Sequence, residues 1–259
     1  MAEIASVTQR GKFEPFGLQV SRGQIAWHRA VTVFGYNPDV DTTEEVVWPD
    51  GSTVGGNTVA ATLKISSSST SDAAAGTGAR TVLISGLDGS HNEISETVTL
   101  NGQTAVNTTK TYLHVNGITV LTVGSGGSNA GVIYAGTGVV TLGVPASIYN
   151  LIDTGFNQST SAMFTIPSGY TGYVVNGGIG NGQGGGDNPV IGKLNIVDPT
   201  GISRVGAVNT LNNGFANYDF FLPLQIPTTY TVRATAIGIA PNNYVTAYFQ
   251  LILIKNDGA

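Results

Sequence analysis

The chain reads as an all-β protein: two β-sandwich, jelly-roll-like modules preceded by an extended N-terminal arm. Three observations predict this. Apolar and polar residues alternate over short runs, Asn-Gly and Asp-Gly pairs punctuate those runs, and no window of a dozen residues carries a 3.6-residue period. Only 10% of the 259 residues are charged, while 41% are hydrophobic. A typical globular chain is about one-quarter charged, so a sizeable core under an uncharged polar surface is expected.

Residues 1–55 form the expected arm. They hold 4 basic and 7 acidic residues, 11 of the chain's 27 charges, together with Trp27 and Trp48. They lack a long period-2 pattern. Such a segment suits docking into another subunit and should be dispensable for folding of the body. The opening Met1-Ala-Glu-Ile-Ala-Ser6 has no cationic region followed by an apolar run, so no signal peptide is expected.

Residues 56–145 form the first module. Asn101-Gly102 lies between residues 97–100 and 103–106, which predicts a type I′ hairpin, because both residues tolerate the positive φ that this turn demands. Asp88-Gly89 and Asn116-Gly117 repeat the device. Ala75-Gly76-Thr77-Gly78 and Ala135-Gly136-Thr137-Gly138 each lead into a β pattern, as matching corners of one sandwich would. Between Lys110 and Asp153 there is no Lys, Arg, Asp or Glu, but Gly124, Gly126, Gly127, Asn129, Gly131, Gly136, Gly138 and Pro145 break the stretch. It is no apolar 20-mer, and no membrane partner is expected.

Residues 146–259 form the second module. Val245, Ala247, Phe249, Leu251 and Leu253 share one face of a C-terminal strand, and Tyr230–Ala234 alternates as a strand with one wet face.

The residue types and their spacing exclude most catalytic chemistry. Without Cys there is no thiolate catalysis, disulfide or Cys-ligated metal. His28, His91 and His114 stand far apart and lack a ligand-pair spacing. The run Asp39-Val-Asp-Thr-Thr-Glu-Glu45 lacks the mid-loop Gly and terminal Glu of an EF-hand and reads as a solvated acidic loop. Asp153-Thr154-Gly155 matches half of an aspartic-protease dyad. That chemistry needs two carboxylates sharing a proton, so only a dimer could supply it. The run Gly177–Gly186 is followed by Asp187-Asn188-Pro189, with no closing Lys-Ser/Thr, and reads as a hairpin tip rather than a phosphate loop.

Glu93 and Glu96, three apart on a strand, fall on opposite faces and cannot flank one glycosidic bond. Gly89-Ser90-His91 lacks the nucleophile-elbow frame. The expectation is therefore no catalytic, cofactor-binding or metal residue, no cofactor and no enzymatic activity. Scattered basic residues and a net charge of −5 argue against a nucleic-acid partner. Tyr170, Tyr173, Tyr244 and Tyr248 are the candidates for a sugar-stacking platform.

The segment Ser71-Asp-Ala-Ala-Ala-Gly-Thr-Gly-Ala-Arg-Thr-Val82, with Gly86-Leu-Asp88 and Glu93-Ile-Ser-Glu-Thr-Val-Thr-Leu-Asn-Gly102, resembles virion structural proteins of tailed phages, especially marine and cyanophage types. Gly35-Tyr-Asn-Pro-Asp-Val-Asp-Thr-Thr-Glu-Glu-Val-Val-Trp-Pro49 and Ser125-Gly-Gly-Ser-Asn-Ala-Gly131 extend the resemblance over roughly residues 35–145. It implies a virion location, on the capsid surface or in a fibre, with no catalytic residues to carry over. The expected role is a homotrimeric capsid decoration or cement protein binding the major capsid protein and stabilising the assembled shell. The alternative is a head or tail fibre recognising a host glycan, through a Tyr-lined groove or the Gly177–Gly186 tip. A dimeric aspartic hydrolase using Asp153 is the remote alternative.

Overall fold

The computed structural model describes residues 14–51, 59–182 and 188–256. The N-terminal part gives a short helix α1 (Phe16–Ser21), then strands β1 (His28–Val40) and β2 (Glu45–Val46). A block of seven strands follows: β3 (Ala61–Ser67), β4 (Ala79–Leu87), β5 (Glu93–Thr99), β6 (Val106–Tyr112), β7 (His114–Val123), β8 (Ile133–Thr141) and β9 (Val144–Ile152). The last seven are β10 (Met163–Thr165), β11 (Tyr170–Gly182), β12 (Val190–Val197), β13 (Ser203–Leu211), β14 (Gly214–Ile226), β15 (Thr231–Gly238) and β16 (Asn243–Lys255).

These strands build two sandwiches, both antiparallel. In one, a sheet ordered β1-β16-β11-β14 faces a sheet ordered β10-β15-β12-β13, with β2 also pairing β15. β2 lies opposite Thr235 and Ala236, and β10 opposite Thr231, Val232 and Arg233, so the two are halves of one edge strand. Counted that way, eight strands lie four to a sheet in the order of a jelly roll, with β12 and β13 the one consecutive pair that shares a sheet. The other sandwich, β6-β3-β8-β9 against β5-β4-β7, is inserted between the two halves.

Period-2 patterning makes each core. Val245, Ala247, Phe249, Leu251 and Leu253 of β16 all point inward, as the sequence predicts, and pack with Val33, Val174, Ile179, Leu194, Val232 and Ala234. Phe249 is fully buried, so truncation to Ala should cost about 3–5 kcal/mol. The inserted sandwich closes around Leu63, Ile65, Val82, Ile84, Tyr112, Ile118 and Ile133.

Its loops converge on the buried carboxylate of Asp72. The Oδ1 atom accepts from the amides of Ala79 (2.7 Å) and Ala130 (2.8 Å), and Oδ2 accepts from Ser67 Oγ (2.6 Å) and the Gly131 amide (2.9 Å). Two segments of the resemblance motif, 71–82 and 125–131, are thereby tied to each other and to Ser67 of β3 through one side chain. Gly78 completes the fit, since any side chain there would collide with Asp72 Oδ1.

A third cluster joins the sandwiches. Trp48, fully buried, packs with Val46, Leu151, Tyr134, Ile148 and Met163. Arg29 grips Glu93 with both terminal nitrogens (2.6 and 3.1 Å) while lying over the Tyr170 ring.

Several expectations need correction. The arm 1–55 does not stand apart: β1 pairs β16 from His28↔Ile254 to Asn37↔Val245, and Trp48 is core. The charges of residues 39–45 dominated that segment's composition and hid the alternation of Val31, Val33 and Gly35 before them. Residues 28–48 are consequently part of the jelly roll and its core. The boundary at 145/146 falls inside β9, an edge strand that tolerates Pro145 near its start.

Asn101-Gly102 is a corner, not a hairpin. Gly102 has φ +60°, but β5 pairs β4 while β6 pairs β3 in the opposite sheet. Asn116-Gly117 lies inside β7, where Asn116 is the extra residue of a β-bulge opposite Ser85 and Gly86. Residues 135–138 are strand rather than a loop-to-strand corner, so the internal echo has no structural counterpart.

Candidate functional site

The glycines of β11 explain the site. Gly177–Gly182 are strand, not tip, and residues 183–186 of that run lie outside the described residues. A Cβ on Gly178 would stand 2.5 Å from Phe215 Cζ and 2.8 Å from Tyr248 Cε1; one on Gly180 would stand 2.8 Å from Phe215 Cδ2. The ring of Phe215, from β14, therefore lies flat across two outward glycines of its neighbour. Tyr248, from β16 on the other side, stacks beside it at an interplanar angle of 6° with centroids 6.0 Å apart. Tyr248 Oη donates to Asn217 Oδ1 (3.1 Å), fixing its ring. Gly177 serves the inner face in the same way, leaving room for the Tyr218 ring. Each strand-interior glycine costs roughly 0.5–1 kcal/mol against Ala, so the flat aromatic floor comes at the expense of sheet stability.

Phe34 and Tyr36 of β1 extend this floor, and the segment after β9 forms the wall. There Asp153, Phe156, Gln158 and Thr160 complete a groove of about 790 Å³ with Thr246. Asp153-Thr154-Gly155 is a turn: the Phe156 amide bonds the Asp153 carbonyl (3.1 Å), the Thr154 amide bonds Asp153 Oδ1 (2.7 Å), and Gly155 has φ +81°. Asp153 is the one carboxylate among the described lining residues. Burial first, then Tyr244 and Asp153, hold the Tyr36 phenol above its usual range. Thr160 is 3% exposed and its hydroxyl has no hydrogen-bond partner.

The other sequence candidates take structural places. Of the four tyrosines singled out, Tyr248 lines the groove, while Tyr170 supports Arg29. Glu93 and Glu96 diverge as expected: Glu93 meets Arg29, and Glu96 accepts the Thr109 and Lys110 amides. Ser90 and His91 belong to the β4–β5 turn, organised by Asp88 Oδ1 accepting from the Ser90 and Asn92 amides.

In the acidic run, burial pushes the Glu44 carboxyl up, but bonds from Lys193, Thr235 and Asn195 outweigh it and hold the group below its usual range. Burial raises the Glu45 carboxyl; bonds from Asn37 and Asp41 oppose this, and the charges of Asp41 and Asp39 add to the rise. Among the described residues, no three His, Asp or Glu come together as metal ligands. Among the described residues, no helix is long and apolar enough to cross a membrane.

Sequence spacing missed two groupings. His91 and His114 meet with ring centroids 5.5 Å apart, and Phe34, Phe156 and Phe215 converge on the groove. Alternating glycines on a strand next to an aromatic-rich one were the available signal for the second.

No protein-family model matches the chain, and no curated protein matches it significantly. Among solved structures, the chain is weakly similar to the infectious bursal disease virus VP2 subviral particle, at 10% identity over 94% of this chain and 78% of that one, with a TM-score of 0.26. The infectious bursal disease virus Gx strain structure gives 11% identity, coverages of 90% and 73%, and a TM-score of 0.24. At that level of likeness the jelly-roll assignment rests on strand order alone.

Proposed function

We propose that the protein is a non-enzymatic virion structural protein of the tailed-phage kind, a capsid decoration or cement protein that acts as a homotrimer on the major capsid protein. One observation carries the reading: the β13–β14 flank of the jelly roll is apolar, projecting and almost uncharged. Asp219 is the one charged residue between Arg204 and Arg233. Phe221 is 98% exposed and Leu222 79%, with Val205 and Val208 each at 57%. Phe220, Phe221, Leu222 and Pro223 bulge out between Asp219, paired with Asn176, and Leu224, paired with Val174. The bulge and Pro223 block edge-to-edge strand addition, so the flank offers side chains rather than backbone. Charge depletion with exposed aromatic and aliphatic groups is the signature of an interface core. A protein using such a flank on the assembled shell, and not on free subunits, stabilises the shell by mass action.

The aromatic groove favours a second position, a head or tail fibre. Quantitative mass spectrometry of purified particles separates the two. A ratio to the major capsid protein near one, or a simple lattice fraction of it, is expected for a cement. About a dozen copies would indicate a vertex or tail fibre, in keeping with symmetric assembly. Absence from particles would overturn the structural role.

A further inference from the structure

We propose that the groove over the outer jelly-roll sheet binds neutral saccharides, whatever position the protein holds in a particle. The floor is a flat pair of near-parallel rings, Phe215 and Tyr248, seated on Gly178 and Gly180. A pyranose has one face of C–H groups that packs on such rings, whose π faces are negative, while its hydroxyls project sideways. Asp153, Gln158, Thr160 and Thr246 line the groove beside the rings and bring polar side chains to its rim. Thr160 adds an independent mark of a missing partner, because a nearly buried hydroxyl without a hydrogen bond is rare in a finished fold.

The charge of the lining narrows the class. No Lys, Arg or His is among the described residues of the groove, and Asp153 supplies one negative charge. Phosphorylated or sialylated ligands would meet repulsion with no compensating cation. Nucleobases would suit the rings, but their phosphates need basic residues that this groove lacks. An apolar knob from a second copy would fill the space but leave Asp153 and Thr160 facing carbon. A neutral sugar satisfies both halves of the surface.

The test uses the full chain with lactose, maltohexaose, chitotetraose and 3′-sialyllactose as probes, read by saturation-transfer NMR and calorimetry. At least one neutral probe is expected to show transfer to its ring protons and a Kd on the order of millimolar or tighter. Phe215→Ala should weaken it by about tenfold or more, and Asp153→Asn by several-fold. Sialyllactose should bind more weakly than lactose. Phe156→Ala, on the wall and 47% exposed, leaves the floor intact and should also weaken binding, which guards against a folding defect in Phe215→Ala. No transfer to any neutral probe would overturn the proposal, as would preference for sialyllactose or binding unchanged in both Phe variants.

Discussion

Asn116 and Thr165 join the two sandwiches through a reciprocal pair of hydrogen bonds. Asn116 Nδ2 donates to the Thr165 carbonyl at 3.0 Å, and the Thr165 amide donates to Asn116 Oδ1 at 3.0 Å. A side-chain amide thus stands in for a strand at the open edge of β10, and the β-bulge in β7 is what turns it outward. Asn116→Ala leaves the backbone donor and acceptor of buried Thr165 without partners. It should lower stability by about 1–3 kcal/mol, read as a reduced urea midpoint.

Asp72→Ala should be more damaging. Three backbone amides and a hydroxyl lose their acceptor at a fully buried position. A loss of about 3–5 kcal/mol is expected from the unfolding midpoint, with the inserted sandwich melting first.

Gly178→Ala probes the aromatic floor. Its methyl group would meet the Phe215 and Tyr248 rings well inside contact distance, forcing one of them off the sheet. Overpacking of this kind should cost about 1–3 kcal/mol, and the near-ultraviolet circular dichroism of the stacked rings should change.

His114 makes stability depend on pH. Burial, then the neighbouring His91, depresses its pKa from 6.5 to about 4. His91 is also lowered by burial, against the opposing charge of Asp88. Between these values the unfolded chain binds a proton that the folded protein refuses. Stability is therefore full above pH 6.5, falls as pH drops towards 4, and loses nothing further from this group below that. The His114 contribution is on the order of 3 kcal/mol at most. His114→Asn should flatten the melting temperature across that window.

Phe221→Asp with Leu222→Asp should separate assembly from folding. Both side chains are in solvent in the single chain, so the melting temperature should shift by less than about 0.5 kcal/mol equivalent. Self-association in light scattering and binding to capsids should be lost.

The fold class and the inward face of β16 were legible because period-2 burial is written directly into residue type. Strand partnership was not. Gly102 announces a positive φ, but that angle serves a hairpin or a corner between sheets equally well. Asn116-Gly117 has turn composition and forms a bulge, since the same backbone freedom serves both. Tyr248 was legible as a groove residue; Phe215 was not, because its place depends on glycines in a different strand. The motif at 71–82 was readable as a resemblance, and its physical content, a carboxylate binding three loops, emerges only in three dimensions.

The split edge strand also dictates an order of events during synthesis. The inserted sandwich has all its strands by Ile152 and can close while the rest of the chain is still being made. The jelly roll cannot, because β1 must wait for β16, the last strand to emerge. Once folded, the insert holds Val46 and Met163 close together and replaces a long loop with a short effective one, reducing the entropy of closing the edge beside β15. The inserted sandwich therefore acts as a staple set in place early, and the jelly roll closes last, when β16 reaches β1.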